Sequence, residues 1–562
     1  MVLELLCWVS ITLICYAWGI GLLKLIFGQQ IENSTLTLPV ICFFGLGVVS
    51  LVAWYLSLFS PIQNWFKITI AILGFAYYAS TLNRKFFFSR CKALIAGLTS
   101  LDYVLSIACL VMVIFLASSP VIHPDTLNYH IYSVLFFDHF GMVPGLVHLK
   151  PQFGFQSLWF VALNVFEFRF LTDASAFYLN GAVLCWFILF LVSEGKIFGR
   201  KWQGHISILP GMACFGLLFF TLISWTQIRL TASSASPDFI SALCVFSGFY
   251  FLIAASRDRE NTVFPFLAIF FSLMAVCTKL SVIVILLIPI LITVNSLLKS
   301  HYKRAFEYIL VSILVLAPLI TRNVVTSGYP LYPSSLVGPL PVDWKMDREN
   351  LNRLQHYITG YARYPIDTKD ADSNNKMSLA TWVPNWWEHL YLSDKALLLV
   401  ILMGLVAMVI FFGKWKNSVS KTWGLAFLIA FTGSIIWFIY APDPRFGSGF
   451  LLSLVYFIFA FLFRNSNDVS QVRYIKILAG FKWIAVLVIL LYVGYRGWRY
   501  TSPREFVYPA GVAQNQIPGG GCDGRLKEMM LQNGQGLFPL EDSCRTFIFR
   551  GKELKNGFRT LH

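Results

Sequence analysis

Charged residues are scarce in this chain: they make up 13% of its 562 residues, against about a quarter in soluble domains. Acidic groups are scarcer still, 28 Asp and Glu against 44 Lys and Arg. Apolar residues reach 57%, and mean hydropathy is +0.67. A soluble multidomain enzyme, a disordered chain and a single-span receptor are excluded by that balance. Two-residue alternation is weak, which argues against an outer-membrane barrel. No cleavable leader is expected at the start, because Met1 is followed by Glu4 with no basic segment or small-residue cleavage site. An all-α polytopic membrane protein is the expected class.

What is present is a succession of apolar runs. They fall near 3–23, 36–59, 64–81, 101–118, 172–193, 206–224, 238–255, 263–279, 281–298, 306–320, 395–412, 422–440, 447–463 and 477–497. At roughly 20 residues per span, about 14 spans use half the chain. The basic residues collect in short loops between them: Arg84, Lys85, Arg90 and Lys92; Lys196, Arg200 and Lys201; Arg257 and Arg259; Lys299, Lys303 and Arg304; Lys414, Lys416 and Lys421; Arg464, Arg473 and Lys476. All of these loops share one parity, and the positive-inside rule makes that side cytoplasmic. Both termini, segment 119–171, loop 321–394 and tail 498–562 are then outward. The net charge of +16 reflects this bias and calls for no nucleic acid. Segment 152–168 is apolar but short, and a span there would invert every later loop, so it is expected to lie on the outer surface or dip partway in.

A charge at the bilayer midplane is costly and usually marks a transport path. Here the charges attached to spans sit at outward ends instead: Asp125, Arg229, Asp238, Lys279, Arg322, Asp443 and Arg445. Taken singly, each has an ordinary explanation. Asp125 and Asp238 can start helices, Lys279 and Arg322 can anchor spans, and Asp443 with Arg445 can form a turn pair. Their shared depth points to chemistry at the outer face.

The outward segment 119–171 carries His123-Pro124-Asp125-Thr126-Leu127-Asn128-Tyr129-His130, then Val143-Pro144, then Lys150-Pro151 and an aromatic run through Trp159. A carboxylate just beyond a span, with Tyr129 four residues on along a short surface helix, can meet a substrate whose lipid lies in the bilayer. These residues resemble the first external loop of the GT-C membrane glycosyltransferases, in particular the bacterial aminoarabinose transferases and the protein O-mannosyltransferases. There a Pro-Asp-Glu-x-x-Tyr-like stretch supplies the catalytic acid, a Val-Pro follows, and Lys-Pro or Pro-Pro opens an aromatic helix. Cys277-Thr278-Lys279 is similar to a Thr-Lys of the same superfamily. Thr126 and Leu149 stand where those families often carry further acids, and three spans precede the loop where one is usual. The pattern is closest to a little-characterised group of bacterial polytopic proteins.

The resemblance implies a GT-C-like bundle over 101–464, a three-helix addition at 1–100, a last span within 465–497 and a small external tail at 498–562. It implies sugar transfer from a polyprenyl-phosphate donor to a glycan, lipid or protein hydroxyl at the periplasmic side of the bacterial inner membrane, with inversion. Asp125 would be the general base. Arg322, Arg445 and Lys279 are candidates for the donor phosphate, and Tyr129, His130, Asp238 and Lys150 for the substrates. Use of a divalent cation stays open. The rival readings are a lipid-linked oligosaccharide flippase and a non-catalytic assembly subunit.

Nine of the 11 cysteines, Cys7 to Cys277, lie in or beside apolar runs, where Cys is an ordinary small core residue. Cys522 and Cys544 are the pair in the outward tail, with no His spacing for zinc. An oxidising exterior permits a bridge that closes a loop of about 22 residues and stabilises the tail by roughly 3 kcal/mol in the chain-entropy model. Non-reducing peptide mapping should recover Cys522 linked to Cys544. Free thiols at both positions would count against an outward tail.

Overall fold

The computed structural model describes residues 1–32, 34–96, 98–168, 177–195, 211–364, 375–415, 420–462, 471–500, 552–553 and 559–560. Cys522 and Cys544 lie outside the described residues. The helices are α1 Val2–Phe27, α2 Gln29–Glu32, α3 Leu38–Leu56, α4 Asn64–Ala76, α5 Thr81–Ile95, α6 Ser100–Ala117, α7 Ile131–His139, α8 Leu158–Val165, α9 Tyr178–Gly195 and α10 Gly211–Ile223. They continue with α11 Asp238–Arg257, α12 Val263–Thr278, α13 Leu287–Leu298, α14 Tyr302–Ser327, α15 Arg348–Arg363, α16 Leu379–His389, α17 Leu392–Trp415, α18 Lys421–Tyr440, α19 Pro444–Leu462 and α20 Gln471–Tyr500. Two two-residue strands, Lys552–Glu553 and Arg559–Thr560, form an antiparallel ribbon.

Nine helices among the described residues are long and apolar enough to cross a membrane: α1, α3, α6, α11, Leu280–Leu298, α14, α17, α18 and α19. Local chemistry fixes several of their ends. At the start of α6, Thr99 Oγ1 accepts from the Asp102 amide at 3.3 Å while Asp102 Oδ2 accepts from the Thr99 amide at 2.8 Å, a reciprocal cap. Gly328 closes α14 at φ +82°, a conformation that an L side chain resists. Glu4 in the first turn of α1 and Lys24 in its last both complement the helix dipole.

Helix α11 is the central post, with α12 and α19 against it and α10 beside α19. Helices α3, α11 and α19 are buried nearly all round, while α17, α18 and Leu280–Leu298 leave long apolar faces uncovered, among them Leu402, Val406, Val409 and Ile410. Such faces suit lipid contact. The 1–100 region is not set apart from this core: Phe43 stacks on Phe271 at 4.8 Å, Phe44 meets Phe270 at 4.6 Å, and Trp8 Nε1 donates to the Tyr178 carbonyl at 2.8 Å.

Two local expectations need correction. Segment 152–168 does not lie on an open surface: it forms a 3-10 turn Pro151–Gly154 and the eight-residue α8, whose residues are all buried against α3, α7 and α12. Its apolar surface runs all round the helix, so protein covers every side. The basic loop after the third apolar run is helical: α5 turns 93° away from the helix ending at Ala79.

Helices α1 and α3 cross at bare backbone. A Cβ on Gly45 would sit 1.8 Å from the Cys15 carbonyl oxygen, and one on Gly19 would sit 2.2 Å from that of Ile41, whereas Gly21 faces open space. Small residues allow this approach where membrane helices pack by van der Waals contact. Gly45→Ala should therefore destabilise the protein by about 2 kcal/mol or more in detergent unfolding, and the same change at Gly21 should be neutral or stabilising. Equal effects at both positions would refute the tight crossing.

Candidate functional site

Chain direction brings four helix ends together. Helices α6 and α12 finish, and α11 and α19 begin, at one end of the bundle. The opposite end holds the Lys24–Glu32 ion pair, at 3.2 Å, and the Arg257–Arg259 turn. At the shared end the residues just past α6 supply His123 and Asp125, α11 opens with Asp238, Lys279 follows α12, and Asp443-Pro444-Arg445 opens α19.

Arg445 is the hub. Its Nε donates to Asp443 Oδ2 at 3.0 Å, and Nη2 donates to the same oxygen at 2.8 Å and to the Tyr361 hydroxyl at 3.2 Å. Its Nη1 reaches Asp125 Oδ2 and His123 Nε2, each at 3.3 Å. Four of the five N–H groups of the guanidinium therefore have an oxygen acceptor, and the fifth meets His123 where Nε2 is the unprotonated ring nitrogen. The Asp443 carboxylate also accepts from the Arg445 amide at 2.9 Å, so the turn pair visible in sequence exists, but as one corner of a larger cluster.

A second pair adjoins it. Lys279 Nζ bonds Asp238 Oδ1 and lies 4.1 Å from the Phe446 ring centroid. His123 Nε2 lies 3.7 Å from Asp238 Oδ2, so His123 joins the two pairs. Its Nδ1 is buried and has no partner among the described residues.

Asp125 differs from the other two carboxylates. Its side chain is 33% exposed, against 5% for Asp238 and 15% for Asp443. It precedes the π-helical turn Thr126–His130 yet makes no capping bond. With one long bond to Arg445, it keeps acceptor capacity for a substrate hydroxyl. The π turn places His130 inward, and inserted turns of this kind are frequent at functional sites. Tyr129 and His130 are not on an open surface helix as expected: the turn runs into α7 and His130 is buried.

His130 Nδ1 lies 3.3 Å from Thr126 Oγ1, and the ring packs on Tyr129, His123 and Phe160. Burial first, and the neighbouring His123 second, push its pKa down from 6.5 to about 3. It is a neutral hydrogen-bonding group there. Burial, with Asp125 and Asp238 nearby, raises the Tyr129 hydroxyl well above its ordinary value.

Two candidate residues lie elsewhere. Arg322, near the end of α14, donates from Nε to Gln156 Oε1 at 2.8 Å and from Nη1 to the Ser57 carbonyl and hydroxyl at 3.1 and 3.0 Å, with Phe137 at 4.6 Å. None of these contacts belongs to the acid cluster. The link is the segment beside α8: Ser157, next to Gln156, donates to the Thr278 carbonyl at 2.8 Å, and Thr278 precedes Lys279. Lys150 donates to Asn128 O and Oδ1 at 3.0 and 2.7 Å, which fixes the loop around Tyr129.

Sequence reading missed Tyr361 and its neighbour Tyr357, whose rings are near-parallel at 6.4 Å on α15 in loop 321–394. Burial and then Asp125 raise the Tyr357 hydroxyl, which places that acid close by. A tyrosine pair one helical turn apart was the available signal. His123 was visible only as part of the His-Pro-Asp string. For a divalent cation, no group of three or more His, Cys, Asp or Glu ligands is gathered among the described residues. The acids alternate instead with Lys279 and Arg445, which neutralise them.

The family model described as Domain of unknown function (DUF8201) matches residues 1–452. The chain belongs to that family. No curated protein and no solved structure matches it. The DUF8201 match begins at residue 1, so the first three apolar runs are part of the family unit, and it contains every residue of the cluster through Arg445.

Burial of neutral His130 sets a pH dependence. Between pH 3 and 6.5 the unfolded chain binds a proton that the folded site refuses, so stability rises with pH across that window. Unfolding in detergent should show a loss of about 1 kcal/mol per pH unit as pH falls below 6.5, and His130→Gln should flatten the slope. Parallel slopes in the two proteins would mean that His130 is not held neutral.

Proposed function

We propose that this protein is a GT-C-type membrane glycosyltransferase that moves a sugar from a polyprenyl-phosphate donor to an acceptor hydroxyl at the outer face of the bacterial inner membrane. In this reading all 14 apolar runs of the sequence cross the bilayer, the basic ends lie in the cytoplasm and both termini are outward. The antiparallel run of the described helices supports that topology. The observation that carries the chemistry is Asp125: it is the most exposed carboxylate of a cluster whose remaining acids are internally paired, and Arg445 steadies it without consuming it.

Asp125 accepts the proton of the acceptor hydroxyl as its oxygen attacks the anomeric carbon. The bond from that carbon to the donor phosphate breaks, the lipid phosphate leaves with the electron pair, and the configuration inverts. Arg445 acts as the support of the base, because its N–H groups are already taken. Lys279 has one carboxylate partner and two further N–H donors, so it is the cation best suited to the departing phosphate. Arg322 stays a second candidate, reached through the Gln156–Ser157 segment. Asp238 holds Lys279, and Tyr129, His130 and the Tyr357–Tyr361 pair line the approach. Lys150 shapes the loop around Tyr129. The acceptor is a glycan, lipid or protein hydroxyl.

The test uses purified protein in liposomes with polyprenyl-phosphate sugars. Asp125→Asn should fold with wild-type thermal stability and lose about 10²-fold or more in turnover. Wild-type turnover in that variant would remove Asp125 from the mechanism. Lipid-linked sugar crossing the bilayer without transfer or donor hydrolysis would replace the enzyme with a transporter.

A further inference from the structure

Helix α5 combines three features that nothing in the acid cluster requires. It turns 93° from the helix before it, it carries no acidic residue, and none of its residues is fully buried. One face holds it to the bundle at the end opposite the acid cluster. There Arg90 donates to the carbonyls of Ile31, Glu32, Ser34 and Leu36 at 2.7 to 3.3 Å. Phe86 lies 4.2 Å from Lys24 Nζ and 4.9 Å from Arg90 Cζ, and Phe87 packs on Tyr16 at 4.9 Å.

At 3.6 residues per turn, Arg84, Lys85, Phe88, Lys92 and Ile95 fall within an arc of about 100° centred opposite that docked face. All five are exposed, Phe88 to 65%. Arg84, Lys85 and Lys92 have no carboxylate partner among the described residues, and Arg84 spends one N–H on Thr81 Oγ1 at 3.3 Å. Cations interleaved with exposed aromatic and aliphatic side chains, on a helix lying across the direction of the spans at their basic end, match the boundary between headgroups and acyl chains. Water alone would not favour Phe88 and Ile95 in that arc, and a purely apolar bilayer depth would not accept three unpaired cations.

We propose that the outer arc of α5 is a binding surface for anionic phospholipid headgroups. Arg84, Lys85 and Lys92 engage the phosphates, and Phe88 and Ile95 enter the acyl boundary. The surface is independent of any glycosyl transfer.

The protein is reconstituted in nanodiscs of phosphatidylcholine with or without phosphatidylglycerol, and bound lipid is counted by native mass spectrometry. Wild type should retain phosphatidylglycerol over phosphatidylcholine by about tenfold, less at high salt, and Arg84→Gln/Lys85→Gln/Lys92→Gln should lose the preference. Lys303→Gln/Arg304→Gln, also exposed and basic, should keep it. Hydrogen–deuterium exchange of peptide 81–95 in wild type gives a readout without substitution: it should slow in discs containing phosphatidylglycerol. Equal lipid retention by wild type and the triple variant, or equal exchange in the two discs, would overturn the proposal.

Discussion

The site depends on one buried guanidinium. Arg445 is 5% exposed at the start of α19, and removing its charge from water is tolerable only because its N–H groups meet acceptors. Those acceptors come from three distant stretches, the α19 turn, the residues after α6 and α15 of the long loop, and His123 links on to Asp238 of α11. One side chain thus joins the bundle to its outer covering. Loss of Asp443, which takes two of the five N–H groups and is largely buried, would leave charge uncompensated in a dry place, at a cost several times that of an ordinary surface pair.

The same constraint explains why so much of the site was legible. Apolar spans admit charge only near their ends, so Asp125, Asp238, Lys279 and Arg445 stood out by depth, and the structure joins all four. Depth says nothing about azimuth around the bundle. Arg322 shares that depth but packs against Ser57 and Gln156, and no pattern in the sequence distinguishes the two positions. Tyr361 was hidden for a related reason: a tyrosine in a long loop gives no signal for the helix end it will cover. The pairing that was anticipated, Asp443 with Arg445, is local in sequence, whereas that of Lys279 with Asp238 joins residues 41 apart and had no sequence signal.

The fold was readable where period and length agreed. Long apolar runs became long helices. Two shorter stretches were not decided by hydropathy. Residues 158–165 are apolar on every side, which a surface helix and a buried one can share until contacts are known. Residues 81–95 carry basic groups that mark a loop by the positive-inside rule, yet the i, i+3, i+4 spacing of Asn83, Phe86, Phe87 and Arg90 gives α5 a face to dock. The basic residues, read as a loop, concealed the helix.

Charge counting within the cluster also limits what the site can bind. Asp125, Asp238 and Asp443 face Lys279 and Arg445, three acids against two cations, so formal negative charge is in excess among them. A phosphate approaching the Asp125 side directly would meet that excess. One approaching over Lys279 would meet a cation whose partner acid is turned toward His123. In the proposed reaction the acceptor hydroxyl meets Asp125, whose single long bond to Arg445 leaves acceptor capacity on its oxygens. The imidazole of His123 joins the two pairs, 3.3 Å from Arg445 on one side and 3.7 Å from Asp238 on the other, so the acids and cations form one connected cluster.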